Sequence, residues 1–415
     1  MPHVSFVGQG LATCGGLSTR LAAICTNPPR PPRCASISTR HPAVYRLLFL
    51  TIALIVYGCL YPWHFDFAGD PRHPLLVLLN SWPPVWDRFA LRDAAINLLL
   101  YLPFGATGLW AWSRRFPRAL GIAPVLLGAA VLSGALEMLQ VYVPGRDCSL
   151  FDVLCNVTGA AAGVGVALVY HPSTGWRKRA AIPPSGLLLL VLFAGYQMYP
   201  FFPVLSQTRV RHALELLRAA EGFSLHEVWC SAAEWFAAML IVALVLHLRP
   251  ALVLLCLPLR ILVVTRTLAL HEVLGAALAW MVWTLLRERV RLRAAAGCLA
   301  AAIVLRELAP FHFAGPPSVF SWIPFWSTFD SERQSALVVL LRKAFDYGAM
   351  VWLLRASGVS YVRSGAVVAA ALAALEAAQR YLPGRIPEST DAILALLLTV
   401  SLWSLDNFPR HRGLA

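Results

Sequence analysis

Glu137-x-x-Gln140, then Pro144-Gly-Arg146, then Asp152 and Asn156 form a short polar sentence in a chain that is otherwise very apolar. These residue types could do two kinds of chemistry. A guanidinium such as that of Arg146 suits bidentate recognition of a phosphate or carboxylate. A partly desolvated carboxyl such as Glu137, or its neighbour Asp152, can act as general acid or base. Asn97, Gln140 and Asn156 add neutral hydrogen-bonding groups, and His64 in Tyr61-Pro-Trp-His64 adds an imidazole. The candidate ligand-binding set is therefore Asn97, Glu137, Gln140, Arg146, Asp152, Asn156 and His64, with Glu137 and Asp152 as the candidate catalytic pair. Structural readings stand beside these. Ser149-x-x-Asp152 has the form of a helix capping box. Glu137 can pair with Arg146, and Pro144-Gly145 is turn chemistry. The sequence carries no G-x-S-x-G or H-E-x-x-H pattern, and its nine cysteines show no C-x-x-C pair. No metal site and no cofactor are expected.

The elements that must position these residues are membrane helices. Of the 415 residues, 58% are hydrophobic and 13% charged, against about 25% charged in soluble domains. The mean hydropathy is +0.65. About twelve segments have the roughly 20 largely apolar residues that a span requires, among them 44–62, 93–112, 119–139, 150–170, 250–265 and 388–404. The expected fold class is an all-α polytopic bundle. The net charge of +14 reflects topology rather than nucleic-acid binding. Arg and Lys gather in alternate loops, at Arg114–Arg118, Arg177–Arg179, Arg287–Arg293, Arg355 with Arg363, and Arg410–Arg412. The positive-inside rule then puts both termini in the cytoplasm. In that topology His64, Asn97, Glu137, Gln140, Arg146, Asp152 and Asn156 all meet at the extracytoplasmic end. Residues 1–43, acid-free and with the piece NPPRPPRC, read as a disordered basic cytoplasmic tail. Residues 406–415 read as a second cytoplasmic tail.

Spacing refines the placement. Ser133, Glu137 and Gln140 share one helical face, as do Asp152, Asn156, Gly159 and Gly163. Gly159-x-x-x-Gly163 permits close approach of a neighbouring helix. The polar sentence also recurs. Glu376, Gln379, Arg385 and Asp391 stand 239 residues after Glu137, Gln140, Arg146 and Asp152. Halfway between them, Arg266 and Glu272 match the Arg and Asp positions, while Leu257 and Arg260 replace the Glu and Gln. Three tandem four-helix units are expected over 44–170, 183–286 and 293–405, in the same orientation and with approximate threefold pseudosymmetry.

The first unit resembles the VanZ-like family of small integral membrane domains. The resemblance rests on Asp93-x-x-x-Asn97, Tyr101-Leu-Pro-Phe-Gly105, Glu137-x-x-Gln140, Pro144-Gly-Arg146, Asp152, Asn156 and Gly159. It implies a bacterial cell-envelope protein of the inner membrane, associated with glycopeptide (teicoplanin) resistance, with Asn97, Glu137, Gln140, Arg146, Asp152 and Asn156 as its polar residues. Unit three matches only from Glu376 to Asp391, with Ala395 in the Asn156 position. A working site is thus expected in unit one alone, the middle unit being structural. Three function classes fit. The first is a binding or modulating protein for membrane lipids or a lipid-linked envelope precursor. The second is an intramembrane transferase or hydrolase using Glu137 as acid or base. The third is a transporter, which would place polar groups near the membrane midplane.

Overall fold

The computed structural model describes residues 42–61, 63–67, 73–81, 88–169, 183–199, 211, 215, 224–261, 268–313, 316–326 and 333–407. The tail to residue 41, the last eight residues, the Arg177–Arg179 and Arg410–Arg412 clusters and Arg266 lie outside the described residues, as does the side chain of Asp93. The helices are α1 (Pro42–Leu60), α2 (Pro74–Leu79), α3 (Arg88–Trp112), α4 (Ile122–Gln140), α5 (Leu150–Val169), α6 (Pro184–Met198), α7 (Leu225–Ile241), α8 (Cys256–Ile261), α9 (Leu270–Leu285), α10 (Glu288–Leu308), α11 (Arg333–Ala356), α12 (Tyr361–Gln379) and α13 (Thr390–Asp406). The described residues form no β-strand beyond one isolated bridge between Ser321 and Glu388. This is a polytopic helical membrane bundle.

Six described helical stretches are long and apolar enough to cross a bilayer: 43–60, 94–112, 118–140, 150–169, 225–246 and 361–379. A 19-residue helix such as α1 reaches about 28 Å at 1.5 Å per residue, close to the ~30 Å hydrocarbon core. Of the expected span at 250–265, residues 250–261 are described: a 3-10 turn at Pro250–Leu255 followed by the six-residue α8, together about 21 Å. Pro250 opens the 3-10 turn, and Pro258, which has no backbone N–H, sits inside α8. Pro103, by contrast, does not end α3, which continues to Trp112.

Two hydrophobic cores organise the bundle. One belongs to α1, α3, α4 and α5 and is built on Ile55, Tyr101, Leu109, Ala129, Leu136 and Ala160. In it α3 and α5 touch backbone to backbone. A Cβ at Gly159 would fall 2.1 Å from the Leu98 carbonyl oxygen, and one at Gly163 would fall 1.9 Å from that of Leu102. Only glycine permits this approach. The other core is shared by α6, α7 and α9–α13, around Phe193, Trp235, Phe345 and Leu353. Here α6 packs on α11 while α10 packs on α7. The α1 helix joins the second core through α13, where Arg46 lies over the Trp403 ring at 4.3 Å, and through the Tyr57 hydroxyl, which donates to the Pro324 carbonyl at 2.5 Å.

Candidate functional site

The polar sentence lies at one end of the α1/α3/α4/α5 group, where α1 and α4 finish and α5 begins. Helix termini leave backbone carbonyls and N–H groups without partners, and the polar side chains answer these. Arg146, on the turn after Gly145 (φ 78°), points its Nη2 to the Gly58 carbonyl at 3.2 Å and its Nε to that of Tyr61 at 3.4 Å. Those carbonyls belong to the last turn of α1, the negative end of its dipole. Gln140 Nε2 donates to the intervening Cys59 carbonyl at 2.9 Å. Buried Glu137 accepts the Ser149 N–H at 2.9 Å, and Ser81 Oγ accepts that of Leu150 at 2.8 Å. Ser149 Oγ accepts the Asp152 N–H at 3.3 Å, half of the capping box that the sequence suggests. Together these bonds make a clasp. They tie the end of α4, the Pro-Gly-Arg turn and the start of α5 to the end of α1.

The same clasp recurs with different residues. Arg385 Nη2 reaches the carbonyls of Arg306 and Ala309 at 2.6 and 2.9 Å, and Glu376 accepts the Glu388 N–H at 3.0 Å. Gly384 (φ 77°) matches Gly145, and Phe311 (φ 61°) matches Trp63 (φ 64°) beyond the ends of α10 and α1. Gln379 Nε2 meets the penultimate residue of α10, Glu307, at 2.9 Å, as Gln140 meets the penultimate residue of α1. In the middle of the chain Arg260 occupies the Gln140 position, and its Nη1 reaches Gln197, penultimate in α6, at 2.8 Å. Arg260 also pairs with Glu272 at 2.8 Å.

Beneath the first clasp lies a smaller polar cluster. Asn156 Nδ2 donates to Ser133 Oγ at 2.9 Å, while Asn156 Oδ1 is buried with no hydrogen-bond partner among the described residues. Tyr101 is fully buried beside Ser133. Asn97, half-buried, precedes Leu98, whose carbonyl abuts Gly159. It therefore stands at about the height of Asn156. His64 lies elsewhere, exposed in the segment after α1. Cys148 borders the clasp. Burial, then the nearby Glu137 and Asp152 carboxyls, push its thiol up to about 11. In summary of geometry, the fold gathers Asn97, Glu137, Gln140, Arg146, Asp152 and Asn156 at one end, and leaves the His64 ring facing outward.

Asp391 and several residues that sequence reasoning passed over form a larger buried network in the rest of the bundle. Arg306 bridges Glu234 at 2.5 Å and Asp346 at 3.1 Å, and Lys343 bridges Asp391 at 2.8 Å and Glu307 at 3.5 Å. The Tyr196 hydroxyl donates to Glu234 at 2.5 Å. The signal was present in the sequence, since Lys343 and Asp346 fall in mid-helix in α11 and Glu234 in mid-helix in α7. Ionisable residues inside spans mark functional sites by default.

Residues 47–171 match the family model described as VanZ/LLP1. That segment holds α1 to α5 and the first clasp, and the chain is consistent with a VanZ-like membrane protein. No curated protein and no solved structure matches the chain.

Proposed function

We propose that the α1/α3/α4/α5 group binds the polar headgroup of a membrane lipid or lipid-linked envelope component at its clasp end. The observation that carries this reading is the Asn156 carbonyl oxygen, 2% exposed as a residue and without a hydrogen-bond partner among the described residues. A buried amide oxygen left unsatisfied is costly in a water-poor site, and a ligand hydroxyl or amide would satisfy it. Around it Asn97, Gln140 and Asn156 supply neutral bonds. Arg146 and the first N–H groups of α5 supply the positive potential that favours an anionic headgroup. Glu137 and Gln140 hold the frame.

The same reading places the clasp end outside the cell. Arg114, Arg115 and Arg118 between α3 and α4, Arg287–Arg293 at the start of α10, and Arg355 with Arg363 between α11 and α12 all lie at the opposite end. By the positive-inside rule that end is cytoplasmic, in a bacterial inner membrane with both termini inside. We infer as well that the chain is three tandem units over 44–170, 183–286 and 293–405. The support is the penultimate-residue bond at Cys59, Gln197 and Glu307. A link to glycopeptide resistance follows from the family resemblance alone.

Native mass spectrometry of detergent-purified wild type beside Asn156→Ala and Arg146→Ala tests the reading. A lipid that rides with the wild type and leaves both folded variants supports it. The same bound lipids on all three proteins would reduce the first clasp to a fastening.

A further inference from the structure

At the end of the first group away from the clasp, α1, α3 and α4 frame a groove of about 340 Å³. That volume lies within the ~300–1,000 Å³ of small-molecule sites. Leu48 and Ile52 of α1, Phe104 and Trp112 of α3, and Val125 and Gly128 of α4 form its walls. Two glycines leave the space open. Gly108 and Gly128 both line it, and a Cβ added to Gly128 would meet only the Phe104 ring, at 3.8 Å. The groove is open at its Arg115 end, where the lining residues Tyr45 and Phe116 are 42% and 52% exposed. Apolar walls with nothing against them forfeit dispersion contacts, and hydrocarbon restores them.

Length and charge identify the occupant. The α3 wall runs from Phe104 to Trp112, about 12 Å at 1.5 Å per residue. One leaflet of a ~30 Å hydrocarbon core is about 15 Å deep. The groove therefore covers a single leaflet, which suits an acyl chain and is too short for a crossing helix. Where α3 finishes, Arg115 joins the lining beside Tyr45, and Arg114 and Arg118 stand in the same connection between α3 and α4. Tyr and Trp side chains favour the headgroup level, and a guanidinium suits phosphate. No Asp or Glu occurs in residues 1–65 or 94–136. So α1, the α3–α4 connection and α4 up to Glu137 bring no acid to this mouth. The chain's own first 41 residues, likewise acid-free, carry no side-chain anion to place there.

We propose that this groove is a binding site for an anionic phospholipid, with one acyl chain laid along α1, α3 and α4 and the phosphate at Arg115. It lies in the leaflet at the Arg114–Arg118 end, opposite the leaflet of the clasp, and takes a separate lipid. The groove shares no residue with the clasp or with the Asn156 cluster. Each site therefore stands or falls without the other.

Photo-crosslinking of the full-length protein in lipid nanodiscs tests this. The probes are phosphatidylglycerol and phosphatidylcholine with the same diazirine-bearing acyl chain, and labelled residues are mapped by peptide mass spectrometry. Phe49 and Leu127, 74% and 66% exposed, report ordinary annular lipid and serve as the reference. Relative to them, Leu48, Ile52 and Phe104 are expected to label more strongly with phosphatidylglycerol than with phosphatidylcholine. The expected ratio is about fivefold, the contribution of one basic residue at an anionic surface. Gly128→Leu fills the groove with a good helix former and should abolish the excess while Phe49 and Leu127 still react. Arg115→Gln, at an exposed position, should bring the two probes level. If Gly128→Leu fails to fold, the Arg115→Gln comparison decides alone. Lining residues labelled no more than Phe49 and Leu127, and alike by both probes, overturn the proposal, because the groove then holds annular lipid only. Lining residues that stay unlabelled while Phe49 and Leu127 react overturn it too, since protein then covers the groove.

Discussion

The α1–α5 group and the α10–α13 group use the same fastening around different interiors. In both, an arginine after a left-handed glycine holds the last carbonyls of the group's first helix, and a buried glutamate takes an N–H one or two residues before the last helix. Beneath the fastening they part. The first group brings α3 and α5 together through Gly159 and Gly163 and keeps a half-satisfied Asn156. In the last group Ala395 stands at the Asn156 position and Leu398 at that of Gly159, and Lys343 and Tyr347 fill the space with charge and hydrogen bonds. Repetition here marks what fastens. Chemistry particular to either group has to be sought where the copies diverge, at Asn97 and Asn156 in one and at Glu307, Lys343, Tyr347 and Asp391 in the other.

The largest expected effect breaks the interior that the first group lacks. Lys343→Ala removes the cation from between Glu307 and Asp391. Leaving a buried partner unpaired typically costs about 3–5 kcal/mol, so thermal unfolding in detergent should start well below that of wild type. A melting curve equal to the wild type would mean that the carboxyl pair does not rely on its cation. Next come the matched arginines. Arg146→Ala and Arg385→Ala each remove charged hydrogen bonds to helix-end carbonyls, worth about 1.5–3 kcal/mol. Similar losses in the two variants are expected. A loss confined to Arg385→Ala would mean that Arg146 is not chiefly a fastener.

Most of the clasp was legible in the sequence because it is a turn device. Pro-Gly-Arg and Ser-x-x-Asp carry their geometry locally, and a repeated turn with fixed offsets declares its own importance. The glycine pair of α5 was legible for the same reason, since its spacing alone implies a close neighbour. What Arg146 holds was not legible. Its partners are backbone carbonyls of Gly58 and Tyr61, and a carbonyl leaves no mark in a sequence. The Arg306–Glu234–Asp346 network was hidden differently. Its members come from three helices, and they meet only because α10 packs on α7 rather than solely within its own group. The 3-10 turn that opens 250–261 was hidden by its composition, which is as apolar as that of a regular span.

Smaller effects sharpen the first group. Gly159→Ala places a methyl against the Leu98 carbonyl and should cost about 1–3 kcal/mol, as overpacking does. Thermal melting would show it, and an unshifted melt would mean that α3 and α5 can separate freely. Asn156→Ala removes one hydrogen bond to Ser133, worth about 1 kcal/mol, together with the unsatisfied oxygen. Its melting should barely change while the bound lipid is lost. A large stability loss instead would make Asn156 a packing residue.

The smallest expected effect concerns no stability at all and reports the charge of Glu137. Cys148 borders the first clasp, and Pro387 stands at the matching place in the last group, so thiol chemistry here reads the first group alone. An ordinary thiol near 8.5 is substantially ionised in mild alkali, whereas this one is held up to about 11 by burial and by the Glu137 and Asp152 carboxyls. Alkylation, which needs the thiolate, should therefore keep rising about tenfold per pH unit well beyond the point where an ordinary thiol levels off. Peptide mapping by mass spectrometry follows this site among the nine cysteines. Removing a neighbouring negative charge lowers a thiol's pKa, so Glu137→Gln should speed labelling of Cys148 severalfold in mild alkali, where the carboxyl is ionised. An unchanged rate would mean that Glu137 is already neutral in the wild type. That is the state a general acid requires, and it would move the first group from fastening and binding toward catalysis, the one property the last group could then not share through Glu376 without the same test.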